Sequence, residues 1–388
     1  MKSKAARLFS QSWFIFLSGL GGLLFTMFGL SIGWMIGSLI VACLLTYFQP
    51  KTLGINEKSK LGKNWFQLAQ FLLGIELGKN LNLSVMNVLY DHWLIVAIVL
   101  LFSIIFSFGT GFLLYRFSKT DLLTSFLATS PGGVASMPVI AEEVGANIGI
   151  VSAVQAIRVF FVVSIIPVIL FLMVPQSGQQ PVASIENVGN DQFVQVAANF
   201  STFTIIWTVC GLVFAFFGVL VGKRIKLPAP WLLGTLLGVL LLETISPMFF
   251  NEHVVIWWPH FLVIFGQILI GASIGAKFRK SMFVGIKQIV IVGTIGTILL
   301  IAAMFLCAYI VSAITGIQFI ASVLAFAPGG VVEMATVSMI LDSESTFVVA
   351  VQTLRIILVI LFVPLFIKFM NEKLRKKNDL MKSNRISS

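Results

Sequence analysis

Apolar residues in this chain come in long unbroken runs with short polar stretches between them, rather than at the three-or-four-residue spacing that gives a water-soluble helix one dry face. The runs fall at about 11–29, 33–48, 64–78, 93–115, 146–173, 198–221, 230–244, 256–275, 284–312 and 346–369. Each predicts a helix solvated by lipid, the shorter ones helped by tilt or by neighbours. Two more apolar stretches, 120–144 and 320–342, are broken in the middle by Ser130-Pro131-Gly132-Gly133 and Ala327-Pro328-Gly329-Gly330. Proline withholds an N–H and glycine loosens the helix, so each break should end one half-helix and begin another.

The pattern occurs twice. Residues 128–167 recur at 325–364 without insertion or deletion, a shift of 197 positions. Pro131, Gly132, Gly133, Val134, Met137, Gln155, Arg158 and Pro167 are matched by Pro328, Gly329, Gly330, Val331, Met334, Gln352, Arg355 and Pro364. The same shift pairs Gly21 with Gly218, Trp34 with Trp231, Gln70 with Gln267, Gly74 with Gly271 and Gly78 with Gly275. A repeat this long implies one architectural unit used twice.

Composition agrees about the solvent. Hydrophobic residues make up 58% of the 388 and charged ones 11%, far below the quarter that a soluble surface carries. The net charge of +11 does not point to nucleic acid, because Lys and Arg cluster in short loops and in the C-terminal segment, where they act as topology signals. Lys2, Lys4 and Arg7 precede the first run like the start of a signal peptide, but the next run follows at once and no small-residue cleavage site intervenes, so the first run is expected to be retained. Cys43, Cys210 and Cys307 lie singly in apolar runs, which predicts neither disulfides nor a thiolate metal site. His92, His253 and His260 sit near run ends beside Trp93, Trp257 and Trp258, as interfacial anchors do.

Placing the N-terminus in the cytoplasm puts Lys51, Lys58, Lys60, Lys63, Arg116 and Lys119 inside. If 120–144 turns back, the segment 174–197, which has no Lys or Arg, lies outside, and every later basic cluster falls inside again. If both broken stretches cross fully, that segment lies in the cytoplasm, against the charge bias. The expected fold is therefore an all-α integral membrane protein of two inverted-topology repeats, each with five transmembrane helices plus one Pro-Gly-Gly-broken re-entrant hairpin. Its parts would be a cytoplasmic N-terminus at 1–12, a first repeat at 13–173, an external linker at 174–197, a second repeat at 198–370 and a basic cytoplasmic tail at 371–388. Inverted repeats with interrupted helices are the architecture of secondary transporters, with the site between the units.

The candidate chemistry lies at the breaks. Backbone groups freed at membrane depth need protein or a water-filled cavity, and a half-helix N-terminus there favours an anion. Arg158 and Arg355 sit near mid-bilayer, where a charge costs roughly 3 kcal/mol on insertion scales and must be compensated. Gln155 and Gln352 lie three residues earlier on the same helical faces. The guanidinium has two possible uses, gripping an anionic substrate or satisfying carbonyls at the break. Pro131, Gly132, Gly133, Gln155, Arg158, Pro328, Gly329, Gly330, Gln352 and Arg355 form the candidate substrate set, with Ser136, Gln70 and Gln267 as secondary cavity residues. Glu333 is an acid well inside an apolar stretch and its counterpart is Ser136. It is a candidate to couple a proton or cation, or else a static partner of Arg355 or Arg158 or of its own helix start.

The duplicated Pro-Gly-Gly-Val-x-x-Met, Gln-x-x-Arg and downstream Pro resemble the bacterial membrane proteins of the AbrB-duplication family, over roughly 13–370. The resemblance implies an acid in the second Pro-Gly-Gly turn, matched by Glu333, whereas Ser136 departs from an acidic pattern. Members are also labelled ammonia monooxygenases, but a copper oxygenase needs clustered imidazoles and the three histidines here are dispersed. A gene regulator would need a DNA-binding module, for which the tail after Lys368 is too short. The expectation is a secondary transporter of a small organic anion or polar metabolite in the bacterial inner membrane. It would have no cofactor, no metal and no nucleic-acid partner, and a homodimer is possible. A cation or proton antiporter using Glu333 is the alternative, then a membrane-embedded enzyme or sensor. Arg355→Gln is expected to abolish transport with expression nearly intact.

Overall fold

The computed structural model describes residues 2–30, 32–50, 61–79, 90–131, 133–173, 202–227, 229–250, 256–278, 280 and 285–359. Side chains at 2–7, 133–136, 139, 202–203 and 247–250 lie outside that description. So do several residues named above: Lys51, Lys58, Lys60, Gly132, the Ser136 side chain, His253, Pro364, the segment 174–197 and the tail.

The described residues form helices and no strand. In the first half these are α1 (Lys2–Met27), α2 (Gly33–Phe48), α3 (Lys63–Lys79), α4 (Trp93–Ser118), α5 (Leu122–Thr129), α6 (Gly133–Glu143) and α7 (Ile148–Met173). The second half has α8 (Thr202–Arg224), α9 (Pro230–Phe250), α10 (His260–Gly275), α11 (Lys287–Thr315), α12 (Phe319–Phe326), α13 (Val331–Ile340) and α14 (Ser345–Val359). The expected interruptions are in place: α5 stops at Thr129 and α12 at Phe326, each just before its Pro-Gly-Gly. The run expected from 256 becomes helical only at His260, because Pro259 is extended (φ −70°, ψ 139°) and serves as the N-cap.

Among the described residues five helices are long and apolar enough to cross a membrane: Leu8–Met27 within α1, α4, α7, Thr204–Arg224 within α8, and α11. On α1, α4, α8 and α11 large apolar side chains such as Phe16, Ile105, Phe216 and Tyr309 are exposed. A water-facing surface does not carry so much apolar area. The chain is a multi-pass membrane protein whose outer helices face lipid.

The shorter helices pack inside. α1 lies against α2 and α8 against α9, with backbones close enough that a Cβ on Gly21 would sit 2.7 Å from the Gly37 carbonyl, and one on Gly234 2.5 Å from that of Gly218. The halves also interlock. α3 packs on α9, where Gly74 faces Leu232 and Thr235 and Gly78 faces Leu236 and Val239. α10 packs on α2, with Gly271 facing Met35 and Ser38, and Gly275 facing Leu39 and Ala42. At 16 residues each, α2 and α10 span about 24 Å. That is short of a hydrocarbon core of about 30 Å, and their neighbours make up the difference.

Candidate functional site

α5 is N-capped by Asp121, whose carboxylate accepts the Thr124 N–H at 2.8 Å. Its last turn leaves carbonyls that no N–H of the same helix can reach, and away from water they need protein donors. α7 provides them. Gln155 Nε2 donates to Leu127 O at 3.1 Å and Ser130 O at 2.9 Å. Arg158 Nη1 donates to Thr129 O at 3.0 Å and Ser130 O at 2.9 Å, and Nη2 to Gln155 Oε1 at 2.7 Å. From α4, Ser107 Oγ also donates to Thr129 O.

The second break repeats this arrangement. Gln352 Nε2 donates to Leu324 O at 2.7 Å and Ala327 O at 3.1 Å, and Arg355 donates to Ala327 O, Gly329 O and Gln352 Oε1. Of the two uses left open for the guanidiniums, the terminal nitrogens serve the break carbonyls. In both halves the glutamine steers the arginine through its Oε1 and caps the helix end through its Nε2.

Several features remain after that accounting. Arg158 and Arg355 are 4% and 2% exposed, and neither Nε has a partner among the described residues. Ser130 Oγ is likewise buried without one. Among the described residues no carboxylate lies within ion-pair distance of either arginine. The second break also touches the first half, since a Cβ on Gly329 would lie 3.1 Å from Val162 of α7.

Glu333 is not the arginines' partner. It occupies the third position of α13 after the N-cap Gly330, and its carboxylate folds back over that glycine and accepts from its own backbone N–H. An acid there stabilises a helix start. The cation that acts on it is Lys277, half-buried in the turn after α10. Basic loop residues are read from the sequence only as topology signals, and nothing local to 277 marks this role. Gln70 and Gln267 are buried on α3 and α10, and the Gln267 Oε1 has no partner among the described residues. Neither glutamine lines the cavity beside Arg158, whose polar wall is Thr110, Thr129 and Thr297. These threonines were also missed, although Ser103, Ser107 and Thr110 make a legible polar stripe in the apolar run of α4. A larger cavity of ≈ 390 Å³ lies elsewhere, lined by Phe16, Leu20, Trp34, Trp65, Phe265 and Ile268 among others. Its walls are nearly all apolar and it supplies no polar site.

The family model described as transition state regulatory protein AbrB matches residues 12–371. The uncharacterized protein YhjN of Bacillus subtilis (strain 168) is 44% identical over 377 residues, covering 97% of each chain. An Escherichia coli (strain K12) protein given the name of a regulator, AbrB, is 27% identical over 359 residues, covering 90% of this chain and 95% of its own.

Proposed function

The chain belongs to the AbrB family, and on that premise we propose that it is a secondary transporter of a small organic anion or similar polar metabolite, with its site between the two breaks. The observation that carries this reading is the pair of buried guanidiniums, neither with a carboxylate at ion-pair distance among the described residues. Two cations without a counter-charge inside a membrane protein are costly, and a bound anion relieves that cost. At Arg158 a bound anion also finds an Nε that has no partner among the described residues.

The inverted-repeat architecture that such a transporter needs is supported by helix directions. Along α3 and α9 the facing pairs rise together, Gly74 with Thr235 and Gly78 with Val239, so these helices run parallel. α10 and α2 run parallel by the same test, Gly271 with Ser38 and Gly275 with Ala42. If α2 and α3 cross in succession they are antiparallel, so α9 opposes α2 and the second unit enters from the other face. Re-entrance of the first broken stretch is supported by the Asn147 N–H, which donates to Thr124 Oγ1 at 3.0 Å. The chain leaving α6 is thus back at the level where α5 began. Arg158 and Arg355 each lie ten residues beyond the first residue of their helix, about 15 Å along. If α7 and α14 start at opposite faces, both guanidiniums fall at mid-depth. Both termini and the basic loops are then cytoplasmic in a bacterial inner membrane, and 174–197 is external.

A ligand screen by thermal stability tests the reading, because a solute that binds only the folded state raises Tm with its saturation. Purified protein would be heated with small carboxylates, amino acids, inorganic anions and monovalent cations. Stabilisation by an anion that weakens in Arg158→Lys is expected. A response to cations or pH alone, removed by Glu333→Gln, replaces the anion reading with a cation or proton exchanger, which the buried Glu333 beside Lys277 would serve.

A further inference from the structure

The two breaks share a backbone plan but not their surroundings. Beside Arg158 lies a cavity of ≈ 10 Å³, about the space of one water centre. Its polar wall is Thr110 and Thr129 of the first half with Thr297 of α11, and Gly293 and Gly296 of α11 complete that face. A shift of 197 positions turns these five into Cys307, Phe326, Leu100, Val96 and Val99. Where one half has hydroxyls and glycines, the other has a fully buried Phe326, buried Leu100 and Val96, and half-buried Val99 and Cys307.

The glycines show that this space is not a packing accident. At most helix contacts in the protein glycine is required, as at Gly275, where a Cβ would lie 2.6 Å from the Leu39 carbonyl. At Gly293 a Cβ would lie 3.5 Å from Val154 and at Gly296 3.4 Å from Thr110, both ordinary contacts. Alanine fits at both, and in a helix interior it is favoured over glycine by about 1 kcal/mol. What glycine preserves there is room.

The lining is also chemically coherent. The hydroxyls of Thr110, Thr129 and Thr297 donate to Ser107 O at 2.7 Å, Ser125 O at 3.1 Å and Gly293 O at 2.8 Å. Each donates to a carbonyl of its own helix, so each proton can turn to a guest while that carbonyl keeps its helical N–H. Arg158 contributes its unpartnered Nε. One fixed cation with three hydroxyls that can become donors describes a seat for a small anionic group.

We propose that the first break alone binds substrate, seating the anionic end of the solute against Arg158, Thr110, Thr129 and Thr297, while the second break around Arg355 is sealed by Phe326 and serves as scaffold. This rests on the transporter reading above and locates its site. A carboxylate exceeds a one-water space, so its entry requires α11 of the second half to move away from α7 of the first.

Thiol labelling in membrane vesicles tests the asymmetry without any transport assay. Cys43, Cys210 and Cys307 are replaced by Ala, and Thr297→Cys is compared with its counterpart Leu100→Cys, using an anionic sulfonatoethyl and a cationic aminoethyl methanethiosulfonate. Rates are normalised to those on exposed Glu142→Cys. Thr297→Cys is expected to react at least tenfold faster than Leu100→Cys, to favour the anionic reagent, and to slow when Gly293→Ala and Gly296→Ala are added. Thr110→Cys set against native Cys307 gives a second pair should either variant fail to fold. Equal rates within both pairs, no reaction at either first-break position, or preference for the cationic reagent overturns the proposal. Loss of the asymmetry while an anion still stabilises the protein sinks this site alone. Asymmetric labelling with no stabilising anion sinks the anion-transport reading and leaves the site.

Discussion

At Arg355 the terminal nitrogens are taken up by the carbonyls of Ala327 and Gly329 and by Gln352 Oε1, so removing the side chain orphans buried acceptors. Each such orphan costs about 1–3 kcal/mol. Arg355→Gln is therefore expected to lower stability by about 2–5 kcal/mol, visible as a fall in Tm in detergent, and not to leave the protein intact as its position in the sequence implies. Arg355→Lys should restore little of this, since a point-like ammonium does not reproduce the planar fork. A melting curve unchanged from wild type would remove the capping role. Glu333 and Lys277 make a second case. Removing Lys277 alone leaves a buried carboxylate without the cation whose charge acts on it, so Lys277→Met should destabilise more than the double variant with Glu333→Gln, and a double-mutant cycle measures the coupling. Additive effects would show that the two charges do not interact. The glutamine-arginine motif, the breaks and Glu333 were all legible in the sequence, because a polar group in an apolar run stands out by itself. What each side chain holds was not legible: the carbonyls served by Arg158 lie 28 and 29 residues back along the chain.

The glycines divide at the level of elements. Those joining α1 to α2, α8 to α9, α3 to α9 and α10 to α2 bring backbones within reach of a Cβ, so adding a methyl forces helices apart at a cost of about 1–3 kcal/mol. Gly234→Ala and Gly275→Ala are expected to lower Tm accordingly, whereas Gly293→Ala in α11 should hold or raise it by the helix-propensity difference. If all three behave alike, the distinction between packing and cavity glycines fails. Periodicity places these glycines on stripes but does not say which stripe is pressed against a neighbour. That depends on which helix lies opposite, and for α3 and α10 the partner belongs to the other half of the chain. Helix positions themselves were read closely, with interruptions at both Pro-Gly-Gly segments, because lipid demands apolar runs and proline stops them.

For the molecule as a whole, the proposed inversion makes a sidedness prediction. Asn147→Cys, at the base of the first broken stretch, and Ser343→Cys, at the base of the second, should react with a membrane-impermeant thiol reagent from opposite faces, the second from outside in intact cells. Labelling of both from one face would replace inverted repeats by parallel ones. The chain on its own determined the solvent, the duplication, the order of helices and the residues that cannot be idle, since each follows from local rules: hydropathy, a fixed shift of 197, and the cost of a charge or a broken backbone in lipid. Only the tertiary structure decided how the halves interlock, which cation faces Glu333, and that the space beside Arg158 is lined with hydroxyls while its counterpart carries Phe326. Those outcomes depend on contacts between residues far apart in sequence, and such contacts are set by how whole helices pack rather than by any pattern within one of them.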